Sequence, residues 1–583
     1  MPRQSVSSSS KRENNNSVPL EVLRPRRSVG GSYALNKDSS MTLETDDLTI
    51  QSVASSGVGE TTHNTSELKR GLKARHLTMI SLGGTIGTGL FLTSGASVAQ
   101  AGPGGALVAY AATGIMVFFM MESLGEMATY LPISGSFNNY AGRFIDPALG
   151  FALGWNYWYN WAVTLAVELS AGSIIMAYWL PNVPGWIWSL IFLVIMLALN
   201  LFSVKGYGEI EYWLALLKVL TVIIFIIVGI LVATGAVGGH VYGFENYTLG
   251  GFQGMGVFST FLLAAFSFQG SELIGVIAGE TENPRRMVPR AIKQVFWRIL
   301  LFYICALFII GLIIPYNDPS LLSADVSNIA TSPFTLVFQK AGLKGADDFM
   351  NAVILTTVLS AGNSGLYASS RTLYDLANEG RAPKIFRKVT KYGVPIYCVL
   401  LTTLIGGLAF LSSLFGNGVV YQWLISISGV AGLIAWLNIA VCHFQFRRAY
   451  VLQGFLVEDL PFKARWYPFG PIFAFLVCSF VLVGQGYSTW TATPIDPIAL
   501  VACYIGVPIV VILYVVYKIV KKTKFIPLAE VDLVSGRQEI LMHNLEFEGR
   551  KRDDPLEGVS ILKPSTWKRI PSNLKSWRDA IHN

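Results

Sequence analysis

The chain is built on long, nearly unbroken apolar runs, and these limit its fold more than any other feature. Each covers roughly 18–25 residues, the length a helix needs to cross about 30 Å of hydrocarbon. The stretch 219-VLTVIIFIIVGILVA-233 has no polar face, so it does not read as an amphipathic helix of a soluble protein. Inside hydrocarbon each backbone N–H and C=O must be bonded within the segment, which leaves helices for runs of this length. About twelve such segments are expected, near 77–100, 104–124, 148–179, 183–204, 212–236, 257–279, 294–314, 349–372, 395–415, 419–442, 470–487 and 497–519. The expected fold class is an all-α membrane protein.

The runs divide the chain into three parts. Residues 1–70 are rich in Ser, Asn, Thr and charge and are expected to be a disordered cytoplasmic tail. Residues 71–520 form the transmembrane domain, and 521–583 a second charged cytoplasmic tail. The polar opening rules out a cleavable signal peptide, so the first span is expected to direct insertion. Serines and lysines such as Lys11, Lys37 and Lys69 make the tails suited to modification, with ubiquitin-ligase or trafficking partners.

The formal charge of +8 on 583 residues might suggest nucleic acid. Its distribution argues otherwise. Basic residues fall in alternate connections, represented by Arg143, Lys205, Arg381, Lys384, Arg387, Arg447, Arg448 and Lys463, and in the run ETENPRRMVPRAIKQVFWR. By the rule of basic cytoplasmic loops, both termini lie in the cytosol. The lipid bilayer is therefore an expected partner and nucleic acid is not. The five cysteines, at 305, 398, 442, 478 and 503, lie in or beside apolar runs and show no metal-ligand spacing. Asn246-Tyr247-Thr248 is a sequon on the outer side of this topology, or a chance match near the membrane.

Two segments are poor continuous helices. The first, 81-SLGGTIGTGLFLTSGA-96, places Gly83, Gly84, Gly87 and Gly89 close together, and each costs about 1 kcal/mol relative to Ala inside a helix. Either Gly83 and Gly87 let another helix approach closely, or the helix unwinds and exposes its amides to a ligand. The sixth, 264-AAFSFQGSELIGVIAGE-280, sets Gln269, Gly270, Ser271 and Glu272 within an apolar run. Interrupted helices at matching positions of two repeats are the best sequence pointer to a transporter site. Free amides at a half-helix N-terminus suit a carboxylate, and free carbonyls suit an ammonium. One site offering both matches the two ends of an amino acid.

Charges inside the spans add candidates. Glu168 lies well inside segment three, suited to carrying a proton or holding a cationic side chain. Glu272 is the first choice for contact with a substrate cation, while Glu280 borders the basic run and pairs as readily with Arg285 or Arg286. Glu122 and Glu126 share one face of segment two. Glu126 is expected at the interface and Glu122 toward the pathway. Lys218 lies about 9 Å in from Tyr212, where it either snorkels or acts in the pathway. In segment ten, Ser426 and Ser428 are candidates for the side-chain pocket, against the ordinary role of serines bonding their own helix.

GGTIGTGLF, MESLGEMATYLPISGSF at 121–137, GWNYWYNWAV at 154–163, FSFQGSELIG with AGETENPRRMVPRAIKQVFWRI, and IIPYNDP at 313–319 resemble the amino acid–polyamine–organocation superfamily. Within it they resemble the yeast amino-acid transporter family and its permeases for basic amino acids. The likeness runs from about Gly71 to Lys521. It implies a LeuT-like core of two inverted five-helix repeats with two extra helices. The implied activity is proton-coupled symport of lysine or arginine by alternating access, across the plasma membrane of a eukaryotic microbe. It further implies that Gly87, Thr88 and Gly89 bind the substrate carboxylate, and that the Ile86, Phe266 and Ser267 carbonyls receive the amine. Phe268 would lid the substrate, and Lys218 would gain and lose the proton.

Two alternatives stay open: a general or neutral amino-acid permease, and an amino-acid sensor with the same fold. An ATP-driven pump lacks its phosphate loop, as no GxxxxGK[ST] occurs. An enzyme is not expected, because His76 and His443 sit at the ends of spans away from any nucleophile. Neither cofactor nor metal is expected.

Overall fold

The computed structural model describes residues 86–535 apart from 134, 203, 279–283, 323–331, 344, 391–392 and 492–496. The tail 1–70 with its lysines, the first part of segment one with Gly83 and Gly84, Glu280 and most of the C-terminal tail lie outside the described residues. The principal helices are α1 (Thr88–Phe91), α2 (Thr93–Tyr130), α3 (Ser136–Phe144), α4 (Pro147–Met176), α5 (Gly185–Phe202), α6 (Val204–Ala233), α7 (Gly256–Phe268) and α8 (Leu273–Ile277). They continue with α9 (Pro284–Arg298), α10 (Ala306–Ile313), α11 (Ala346–Asn378), α12 (Ile396–Gly406), α13 (Asn417–Leu452), α14 (Phe469–Gly484), α15 (Pro497–Tyr504) and α16 (Gly506–Lys521). Among the described residues there is no strand.

Among the described residues eight helical stretches are long and apolar enough to span a bilayer, and Gly185–Leu201 is a shorter apolar helix. The chain is a multi-pass, all-helical membrane protein. Large apolar side chains such as Leu404, Leu414, Val483 and Ile519 are exposed on its outside, as contact with lipid requires. Segments one and two are joined within α2, where Gly102 (φ +74°) and Pro103 break the helical geometry.

Several connections differ from the sequence reading. The helices run on beyond the apolar stretches, because polar residues continue a helix once its apolar part is packed. Lys205 lies within α6, and the basic run after segment six forms α9. Arg447 and Arg448 lie inside α13, as does His443, well short of the helix end. Asn246 of the sequon donates its amide to the Leu312 carbonyl at 2.7 Å. The described cysteines are all free.

At the end of the bundle where α2 stops and α4 starts, α3 lies across the base, and the chain after α16 returns to it as a strap. Ile526 N–H donates to the Ile145 carbonyl at 2.8 Å, and Val531 and Leu533 are buried. Arg143 donates to the Asp532 and Ser535 carbonyls at 2.6 and 2.7 Å. Asp146 caps α4 through the Ala148 N–H at 2.9 Å and takes the Lys518 ammonium and the Thr523 hydroxyl. Part of the stretch read as tail is therefore packed structure.

Candidate functional site between the interrupted helices

Segment six is interrupted, and the described part of segment one becomes helical only at Thr88. Gly87 lies outside α1 with φ −135° and ψ −146°, and Leu92 separates α1 from α2. α7 ends at Phe268; Gln269 is extended (ψ 148°) and Gly270 takes φ +88° before α8 begins at Leu273. That φ lies in the left-handed region, which glycine enters without the steric cost a Cβ imposes.

The two breaks touch. Ser267 Oγ donates to the Gly89 carbonyl at 2.6 Å and sits 2.9 Å from both Thr93 Oγ1 and the Tyr110 hydroxyl. A Cβ on Gly89 would run into the backbone of Ser267, so the contact depends on glycine. Tyr303, in the π-helical stretch Ile299–Cys305, donates to the Ser267 carbonyl at 2.8 Å. Phe268 is fully buried, with ring centres 4.5 Å from Tyr303 and 5.9 Å from Tyr110.

Glu168 reaches the first break from α4. Its Oε1 accepts from Thr88 Oγ1 at 3.1 Å. A Cβ on Gly87 would lie 2.7 Å from that oxygen and 2.9 Å from the Ala361 Cβ. Glu168 Oε2 is buried and has no hydrogen-bond partner among the described residues, and neither does the buried Tyr421 hydroxyl. Buried polar atoms are nearly always satisfied, so a group left open at such a place marks where a ligand or water belongs.

The second break is held mainly by side chains. Both Glu272 oxygens accept from the Gly270 N–H, at 3.2 and 3.1 Å; Oε2 also accepts from Trp436 Nε1 at 3.0 Å and Oε1 from the Tyr157 hydroxyl at 3.4 Å. The carboxylate expected to meet the substrate directly is thus occupied in bracing the break. Next to it, Ser428 Oγ donates toward Asn160 Oδ1 at 2.9 Å and Gln269 Oε1 at 3.2 Å, and lies 2.9 Å from Thr164 Oγ1. Gln269 Nε2 donates to the Ser428 carbonyl at 2.8 Å. This cluster joins segments three, six and ten, and Asn160 Nδ2 in it has no partner among the described residues.

Lys218 is fully buried rather than snorkelling, with Nζ 3.8 Å from Glu211 Oε1. Glu211 was not anticipated, although its place two turns before Lys218 on one helix face is visible in GEIEYWLALLK. Glu126, expected at the interface, is instead the more buried of the Glu122–Glu126 pair. Glu126 is fully buried, bonded to Arg447 and to the Ala464 N–H at 2.7 Å, and 3.2 Å from His443 Nε2. Glu122 is half-buried and accepts from the Arg465 N–H at 3.3 Å, beside the connection that follows α13.

A cavity of about 450 Å³ opens at the other end of the bundle, lined among others by Thr93, Gln100, Leu262, Tyr421, Gln422 and Ser426. Thr93, in segment one, and Tyr421, in segment ten, both line it. Ser426 faces the cavity, whereas Ser428 belongs to the buried cluster.

An interrupted helix packed on the glycine-rich start of segment one, with a buried carboxylate beside that start and a cavity in the same bundle, is the arrangement of a membrane carrier for small solutes. The chain belongs to the amino acid permease family, whose signature matches residues 76–529. It is 55% identical to the lysine-specific permease LysP of Escherichia coli over 469 residues, 80% of this chain and 96% of the relative. It is 49% identical to the histidine permease HisP of Lactococcus lactis over 81% of this chain and 99% of that one. Its identity to the lysine-specific permease of Saccharomyces cerevisiae is 42%, over 82% and 80%.

Proposed function

We propose that the chain imports basic amino acids, lysine foremost, together with protons by alternating access, in the plasma membrane with both termini cytosolic. The observation that carries the reading is Glu168 at the first break, with one oxygen on Thr88 and the other open. The amides of Gly87, Thr88 and Gly89 receive the substrate carboxylate, and the carbonyls of Ile86, Phe266 and Ser267 receive its α-ammonium. The lysine side chain extends toward Asn160, Thr164, Gln269 and Ser428, with Glu272 as the buried negative charge behind them. Phe268 closes over the bound substrate.

Coupling follows from like charge. A carboxylate arriving at Gly87 meets Glu168 at contact distance, and two carboxylates sharing one site do not both stay ionised. Binding therefore requires a proton on Glu168, and Lys218 supplies and recovers it. Glu122, at the α3 end, exchanges protons with the cytosolic side.

Names of relatives support lysine, and the histidine permease among them favours a second reading, a wider range that includes histidine. Uptake of labelled lysine into proteoliposomes, competed by each other amino acid at two pH values, tests both. Accumulation that is faster with acid outside, and competed best by lysine and arginine, supports the first reading. Equal competition by histidine or by neutral amino acids replaces it with the second or with a general permease. Binding without accumulation identifies a sensor. Ubiquitin-ligase or trafficking partners would act on the tails, largely outside the described residues.

A further inference from the structure

We infer that Glu211 is a second proton-carrying residue, taking the proton from Lys218 and passing it toward the α3 end of the molecule. The inference rests on the proton-coupled reading above and adds the exit branch of the path.

Glu211, Lys218 and Glu168 are all buried among packed helices. Lys218 and Glu211 stand two turns apart on α6, and Glu168, on α4, is near enough to Lys218 for the two charges to interact. One ammonium between two carboxylates cannot balance both. With all three groups ionised the cluster carries a net negative charge, which burial strongly disfavours, so a neutral cluster holds one extra proton. That proton belongs to the set rather than to one residue.

The surroundings of Glu211 suit both of its states. Ser360 Oγ lies 2.8 Å from each carboxylate oxygen, and Ser364 faces the same group, both from α11. A hydroxyl donates to a carboxylate and accepts from a carboxylic acid, so these serines stabilise the loaded and the empty forms alike. Two residues beyond Ser360, Gly362 lets α11 lie against Glu168, where a Cβ would be 3.2 Å from the Glu168 Cβ. α11 therefore touches both carboxylates, Glu211 through Ser360 and Glu168 at Gly362, from different sides of the helix.

Direction follows from topology. α6 begins at the α3 end of the bundle, since α4 runs away from that end and α5 returns to it. Glu211 is about 10 Å along α6 from Val204, and Lys218 is one further such step inward. The other charged residues on this part of α6 are Lys205, in its first turn, and the half-buried Glu209. α5 and α10, also packed on α6, contain no ionisable side chain. Lys340, on the helix Pro333–Lys340 near the opposite end of α6, pairs with Asp318 at 3.9 Å.

In the step itself, an N–H bond of the Lys218 ammonium breaks and an O–H bond forms on Glu211. A cation and an anion become two neutral groups, and no electron is transferred. At 3.8 Å the pair is longer than a hydrogen bond, so transfer occurs when the side chains close up or through one bridging hydroxyl or water.

The test uses the purified full chain in proteoliposomes, comparing lysine accumulation driven by a pH gradient with lysine counterflow without a gradient. Wild type should show both. Glu211→Gln should keep counterflow while gradient-driven accumulation falls at least about tenfold, and Glu211→Asp should restore part of the drive. Undiminished drive in Glu211→Gln overturns this inference alone. Loss of counterflow in both variants also overturns it, by assigning Glu211 to folding or carrier closure. Wild-type accumulation indifferent to the pH gradient overturns the coupling reading, and this inference with it.

Discussion

Single residues carry the chemistry, and Glu168 carries the most of it. Glu168→Gln keeps the bond to Thr88 and the packing but fixes the group neutral. Lysine binding by this variant, followed by calorimetry from pH 5 to 8, should lose its dependence on pH, and gradient-driven uptake should fall about a hundredfold. A variant that binds and accumulates as wild type does would remove Glu168 from coupling. Gly270→Ala places a Cβ where φ is +88°, at a cost of about 1–2 kcal/mol. The measurable outcome is a lower apparent Tm in detergent together with lost uptake. Sequence alone pointed to both positions, because glycine density and a carboxylate deep in a span are local signals. It could not show how Glu272 is held, because its donors Trp436 and Tyr157 come from other segments and reach it only in the folded bundle.

Helices and connections hold those residues in place, and here long-range partners dominate. Glu126 and Arg447 are 321 positions apart and join segment two to segment ten. The i, i+4 spacing of Glu122 and Glu126 gave their shared face but not which of them is covered. Removing one partner of a buried pair strands the other charge, at about 3–5 kcal/mol. Arg447→Ala should therefore lower the Tm sharply, whereas replacing Glu126 and Arg447 together by leucine should recover most of it. Equal losses in the single and double variants would contradict this account. The strap behaves differently with pH. Burial works against ionisation of Asp146, but the Lys518 ammonium, with the Ala148 N–H and the Thr523 hydroxyl, outweighs it and holds the carboxyl below its usual range. A depressed carboxylate contributes fully above its unfolded value of about 3.9 and is lost only as pH falls through the lower folded value. The strap should thus stay docked throughout the neutral pH range. In Asp146→Asn, hydrogen exchange of the Ile526 amide should speed up about tenfold at neutral pH. Unchanged exchange would show that Asp146 does not hold it.

At the scale of the molecule, the two ends of the described bundle differ. A cavity lined in part by Thr93 and Tyr421 opens at one end, while α3, the Glu126–Arg447 pair and the strap pack at the other. The apolar runs made the spans legible because a bilayer leaves one solution for each run. Helix lengths beyond the hydrocarbon, and the docking of residues 523–535, depend on packing between distant segments and left no periodic trace. The most direct test is a structure of the chain with lysine bound. The account predicts the α-carboxylate on the amides of Gly87–Gly89 and the α-ammonium on the Ile86 and Phe266 carbonyls. Lysine seated wholly in the outer cavity, with both breaks unoccupied and unchanged, would contradict it.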